Sequence, residues 1–212
     1  MKLWLLNPTV QRLVAVGCRM KPSPQLLINA YCQGIFPMAD DDGLIYWYDP
    51  DPRAILPLDK FHISRTLART IRRGNFEVRF DTAFRAVMGA CAEPAPGREN
   101  TWISPEIIDS YCELHQLGFA HSVETWIEGQ LAGGLYGVSV RGLFAGESMF
   151  SRATDASKIA LVYLVEHLRR HNFVLLDIQF MTDHLRQFGA VEIPRKQYKI
   201  RLTRALTVWT KF

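Results

Sequence analysis

Long apolar runs are missing from this sequence. The first sixteen residues carry Leu3, Trp4, Leu5 and Leu6, but Asn7, Pro8, Gln11 and Arg12 break the run and no small-residue cleavage site follows. A membrane span takes about 20 consecutive apolar residues, so neither a span nor a secretory signal is expected. The stretch reads instead as a loosely attached N-terminal element. Cysteine is scarce, and Cys18, Cys32, Cys91 and Cys112 form no C-x-x-C pair. Cys112 and His115 have the spacing of metal ligands, yet no second pair accompanies them, whereas a structural zinc site usually takes four ligands. Buried free thiols in a reducing cytoplasm are the better reading. The dinucleotide fingerprint G-x-G-x-x-G is absent, as are internal repeats and low-complexity tracts. Neither sign of charge dominates: 25 Lys and Arg against 21 Asp and Glu leave +4. That mild excess permits nucleic-acid binding without demonstrating it, and its distribution along the chain matters more.

What is present is a chain of 212 residues, long enough for a sizeable core. Residues 22–61 are rich in Pro, Asp and aromatics, with a short helix expected over Pro24–Tyr31 and stopped by Gly34 and Pro37. Tyr48-Asp49-Pro50-Asp51-Pro52-Arg53 cannot be regular helix or central strand, because proline fixes φ and removes a donor. A small N-terminal domain (1–57) and a larger one (58–212) are therefore expected. In the larger part the pattern predicts a helix over 62–73, a strand over 76–80, a loop over 93–100 and a helix over 105–117. The period then falls to two, giving strands at 120–127, 131–140 and 143–150 with Glu128-Gly129 and Arg141-Gly142 as tight turns. A helix from Asp155 to about Arg170, a buried strand over 174–179 able to pair parallel with an earlier strand, a short helix at 181–188 and an extended start at Ala190 follow. The fold class is α+β: a mixed, mostly antiparallel sheet flanked by helices. The order of elements is similar to the GNAT fold of acetyl-CoA-dependent N-acetyltransferases.

Three polar groups stand where apolar ones are expected. Glu147 lies in the strand Gly146–Ser151, and a buried carboxylate is costly unless it is paired. Period-two alternation puts Glu147 and Met149 on one face. Asp177 and Gln179 end the buried run Val174-Leu175-Leu176 and share a face, an arrangement that lines a site at the carboxyl end of a strand or caps the next helix. His121 and Ser122 point to opposite faces and cannot exchange a proton. Arg65, Arg69 and Arg72 share a helix face, with Arg73 beside them and no acid at i±4, a pattern suited to phosphates.

Several stretches together resemble leucyl/phenylalanyl-tRNA–protein transferases. They are Gly34–Met38, Trp47–Arg53, His62–Arg65, Thr101–Ile103, Ala120–Glu124, Gly133–Gly137, Gly146–Arg152, Asp155–Lys158, Asp177–Gln179, Asp183-His184 and Phe188–Arg195, in the family's order over about residues 25–200. The resemblance implies a leucyltransferase that moves Leu, Phe or Met from aminoacyl-tRNA to proteins beginning with Lys or Arg. The product would carry a degradation signal. It implies no cofactor, no metal, no DNA and no membrane, and a cytoplasmic monomer is expected. By resemblance Asp177, Gln179 and Glu147 form the reaction centre. Leu135, Phe144, Met149, Leu164 and Leu168 form the aminoacyl pocket, Trp102 and Met38 meet the terminal adenosine, and Arg65, Arg69, Arg72 and Arg73 follow the acceptor stem. Met38 stands where better-known members carry tryptophan, Leu164 and Leu168 where they carry phenylalanine, and Thr182 where they carry asparagine. Two other readings remain open at this point, a CoA-dependent N-acetyltransferase and a non-catalytic tRNA-binding module. The first calls for a glycine-rich pyrophosphate loop opening a helix, where Gly146–Asp155 has Glu and Phe.

Overall fold

The computed structural model describes residues 12–18, 21–40, 42–94 and 101–212. The expected N-terminal element at 1–11 and most of the expected loop at 93–100 lie outside the described residues. In chain order the elements are strand β1 (Arg12–Cys18), helix α1 (Pro24–Cys32), strands β2 (Phe36–Ala39), β3 (Ile45–Tyr48) and β4 (Arg53–Ile55), helix α2 (Arg65–Arg73), strand β5 (Glu77–Phe80), helices α3 (Phe84–Ala92) and α4 (Pro105–Gln116), strands β6 (Ala120–Ile127), β7 (Gln130–Val140) and β8 (Leu143–Ser151), helix α5 (Ala156–Arg170), strand β9 (Leu175–Gln179), helix α6 (Asp183–Arg186), strand β10 (Val191–Ile193) and helix α7 (Arg195–Ala205).

Two sheets result. β1, β3 and β2 make a small antiparallel sheet, and a larger sheet runs β10-β4-β9-β8-β7-β6-β5. The larger one is antiparallel except where β9 lies parallel to β8. The α+β class and the meander over 120–151 agree with the sequence pattern. Glu128 and Gly129, at φ 49° and 73°, make the two-residue hairpin turn that needs two left-handed residues. Ser23, Ser64, Ser104 and Thr182 each accept a backbone N–H at a helix start, so α1, α2, α4 and α6 begin where an N-capping side chain stands.

Both faces of the larger sheet are covered. Alternation sends Phe144 and Leu176 to α5, and their neighbours Leu143 and Leu175 to α7. Gly133 lets α5 sit close on β7, because a Cβ there would lie 2.6 Å from that of Ala156. The third core cluster joins Leu27, Tyr31, Phe36 and Met38 to Ile107, Tyr111 and Tyr136, so α1 and β2 share their apolar interior with α4 and β7.

Some elements were not anticipated. Arg12–Cys18 pairs with β3 rather than hanging loose. β4 begins at Arg53, before the expected boundary near 57, and inserts between β9 and β10 of the larger sheet. Helix α3 has apolar side chains nearly all round, which hides helical period. In α7 the buried residues Tyr198, Leu202 and Ala205 follow i, i+4, i+7 spacing within a strongly basic stretch.

Candidate active site

The pairing of β9 with β8 ends at Ala145–Asp177, and the site lies just beyond it. Register with β7 jumps from Tyr136–Ser148 to Gly137–Gly146, which leaves Glu147 as the extra residue of a β-bulge. A second shift, between Ala54–Gln179 and Ile55–Asp177, leaves Ile178 as the extra residue of β9. Bulges break period two and re-aim side chains. The expected common face of Glu147 and Met149 is accordingly wrong: Met149 packs with the α5 cluster, whereas Glu147 meets Tyr31 and Tyr111 from the other side.

Gln179 donates its side-chain nitrogen to Glu147 Oε1 at 3.1 Å, so these two expected site residues meet directly. Gln179 stands at φ 56°, and Phe180 N donates to Ile178 O at 2.6 Å, closing a tight turn around it. A left-handed non-glycine residue costs about 1–3 kcal/mol and is held only by its surroundings. Asp177 supplies part of the hold, accepting from Gln179 N at 3.0 Å. The Asp177 side chain is buried and also accepts from Arg53 Nε at 2.9 Å, Arg53 Nη2 at 2.6 Å and the Tyr198 hydroxyl at 2.7 Å.

Glu147 keeps partial exposure, yet its carboxyl is closely surrounded. Desolvation pushes its pKa up to about 8, aided by the charge of Asp177 and opposed by hydrogen bonds from Tyr31 and Tyr111 and by the charge of Arg53. At neutral pH it is mostly a neutral acid. The Tyr31 and Tyr111 hydroxyls also bond each other, and burial raises both far above the ordinary phenol value. Sequence reasoning missed Arg53, Tyr198, Tyr31 and Tyr111 as site residues. The one available signal was Arg53, a cation amid the Pro- and aromatic-rich segment.

The other expected residues fall into three groups. Met38 is buried in the cluster of α1 and α4, and Trp102 packs partly buried against it, its carbonyl accepting from Ala39 N at 3.1 Å. Leu135, Phe144, Leu164 and Leu168 are closed from solvent within one apolar cluster, with Met149 partly buried at its side. Phe144 stacks on Phe212 at 5.3 Å between centroids. Arg65, Arg69, Arg72 and Arg73 lie exposed along α2. Thr182 caps α6 through its hydroxyl, at 3.2 Å from Leu185 N. His121 pairs with Asp81 at 2.7 Å, while Ser122 donates to Glu124, 2.7 Å away, on the other face. His115 Nδ1 lies 2.8 Å from the Ala120 carbonyl oxygen. Among the described residues no group of three His, Cys, Asp or Glu side chains gathers to hold a metal, and no helix is long and apolar enough to cross a membrane.

Two family models match the chain: leucyl/phenylalanyl-tRNA protein transferase over residues 55–203, and the N-terminal domain of the same enzymes over residues 20–51. The chain belongs to the leucyl/phenylalanyl-tRNA–protein transferase family. A family member from Herpetosiphon aurantiacus is 64% identical over 185 residues, covering 87% of this chain and 94% of its own. One from Gloeobacter violaceus is 54% identical over 191 residues, covering 90% and 97%. Among solved structures, L-PGS from Bacillus licheniformis aligns with TM-score 0.44 at 13% identity, over 82% of this chain and 65% of that one. A GCN5-related N-acetyltransferase from Kribbella flavida aligns with TM-score 0.41 at 9% identity, over 74% and 56%. The transferase models part between residues 51 and 55, a gap that takes in the first two residues of β4. Of the site residues, Tyr31 falls in the first matched segment and Arg53 in the gap. Tyr111, Glu147, Asp177, Gln179 and Tyr198 fall in the second.

Proposed function

We propose that the chain transfers leucine, phenylalanine and methionine from aminoacyl-tRNA to the α-amine of proteins beginning with Lys or Arg, acting as a cytoplasmic monomer without a cofactor. The observation that carries this reading is the meeting of Gln179 and Glu147 where β8 and β9 part, in a chain of this family. The reaction is attack of an amine on an ester carbonyl. A C–N bond forms, the ester C–O bond breaks, and the terminal ribose of the tRNA leaves as a hydroxyl that takes up the proton the amine sheds. An α-amine has a pKa of about 7.7–8.0, so roughly a tenth is already unprotonated at pH 7. An amide is not a useful base, and positioning supplies much of the rate. One N–H of the Gln179 amide goes to Glu147, and the carbonyl oxygen is the group that accepts from the incoming amine. The amino-acid side chain goes to the apolar cluster of Leu135, Phe144, Met149, Leu164 and Leu168 beside β8, which is closed as it stands and opens to admit it. Trp102 and Met38 receive the adenosine, and the α2 arginines receive the acceptor stem.

The test is incubation with radiolabelled leucyl-tRNA or acetyl-CoA and an Arg-starting peptide. Leucylated peptide, with no acetylation, is the expected result. Acetylated peptide, or tRNA binding with no transfer, refutes the proposal.

A further inference from the structure

We propose that Arg53 and Tyr198 are positioning residues of the transfer reaction, holding the Asp177 side chain so that it sets the backbone at Gln179 and thereby aims its amide. This rests on the reading of Gln179 and Glu147 as the reaction centre.

The hydrogen bonds at Asp177 lead to it. Two ionised carboxylate oxygens offer about four lone-pair sites. Oδ1 accepts from Arg53 Nε at 2.9 Å and Gln179 N at 3.0 Å; Oδ2 accepts from Arg53 Nη2 at 2.6 Å and the Tyr198 hydroxyl at 2.7 Å. All four sites are used, and the side chain is 1% exposed. Asp177 therefore has no capacity left for a substrate proton, and acts through the one donor that leads onward, Gln179 N.

Arg53 is itself fixed. It is fully buried, Nη1 donates to Gly34 O at 3.0 Å, and its guanidinium lies over the rings of Phe36 at 4.9 Å and Tyr198 at 4.4 Å. Asp49, ion-paired to Lys199 at 2.9 Å, stands 4.0 Å from Arg53 Nη1. The guanidinium is planar and bidentate, which a lysine cannot imitate although it keeps the charge. Gln179 at φ 56° is the residue that needs such a hold, since few L-residues adopt that backbone unaided.

The experiment compares Arg53→Lys, Tyr198→Phe and Gln179→Ala in the full chain, with leucyl-tRNA and an Arg-starting peptide, well below each variant's unfolding temperature. Val87→Ala, buried in α3, an element that contributes no residue to the site, is the destabilised control. Expected are a kcat at least about tenfold lower for Arg53→Lys and about three- to tenfold lower for Tyr198→Phe, with KM for leucyl-tRNA within about threefold and kcat retained in the control. A wild-type kcat in Tyr198→Phe and in folded Arg53→Lys overturns the proposal, as does a loss confined to KM. If Arg53→Lys does not fold, Tyr198→Phe decides alone. If Gln179→Ala retains wild-type kcat, the reaction-centre reading falls and the proposal with it. If Gln179→Ala is inactive while Tyr198→Phe and every folded Arg53→Lys sample are unimpaired, only the positioning role falls.

Discussion

Glu147 is a carboxyl that the fold keeps neutral. Its pKa is raised to about 8 from an ordinary value near 4.5, desolvation being the main cause. The folded state therefore binds a proton more tightly than the unfolded chain. Stability from this group is full below about pH 4.5 and is lost as pH rises towards 8. Glu147→Gln removes the ionisation, so its melting temperature should gain on the wild type as pH rises from 5 to 8; scanning calorimetry at both values measures this, and an equal difference at the two pH values contradicts it. Gln179 gives a second residue-scale expectation. If it orients the amine, Gln179→Glu should be a poor enzyme, because a carboxylate has no N–H to give Glu147. A glutamine serving as true base makes the opposite forecast, and a rate assay of peptide leucylation separates the two. At this scale the identities of Glu147, Asp177 and Gln179 were legible, as polar residues in apolar strands. Their mutual geometry was not, because two bulges cancel the alternation on which such a reading depends.

Helix α2 was legible from its arginine spacing, a local property, although it begins at Arg65 behind a Ser64 cap and not at residue 62. Its exposed arginines have no acidic neighbour on the helix, which suits phosphate oxygens. Replacing Arg65, Arg69 and Arg72 by Ala should weaken all charged tRNAs alike. It should also flatten log affinity against log salt by about 0.7–0.9 for each phosphate left without its arginine. An unchanged slope marks the ridge as a solvated face. On α5, Leu164 and Leu168 are buried against β7 and β8. Leu164→Ala should cost about 2–5 kcal/mol in urea unfolding. If it lines the aminoacyl pocket, it should also move the ratio of kcat/KM towards phenylalanyl- over leucyl-tRNA. A destabilised enzyme with an unmoved ratio assigns Leu164 to the core alone. α7, by contrast, went unread: its basic residues mask the buried stripe of Tyr198, Leu202 and Ala205.

Over the whole molecule, the N-terminal segment is built into the larger part. Leu27, Tyr31 and Phe36 share a core with Ile107 and Tyr111, and Arg53 ties Gly34 to Asp177. A shared core favours unfolding as one unit. Guanidinium titration followed by tryptophan fluorescence and by far-UV circular dichroism should therefore give coincident transitions, and an earlier fluorescence step would signal a separately folding N-terminal part. Sequence alone determined what depends on neighbours a few residues away: the meander, its turns, the capped helices, the arginine ridge and the order of motifs that marks the family. The three-dimensional fold decided what depends on residues far apart in the chain. Arg53 and Asp177 are separated by 124 positions, and Tyr31 and Tyr111 by 80, yet each pair meets by hydrogen bonds in the interior. No period or propensity encodes such meetings, because they arise from the burial of shared apolar surface and the need of each enclosed polar group for a partner.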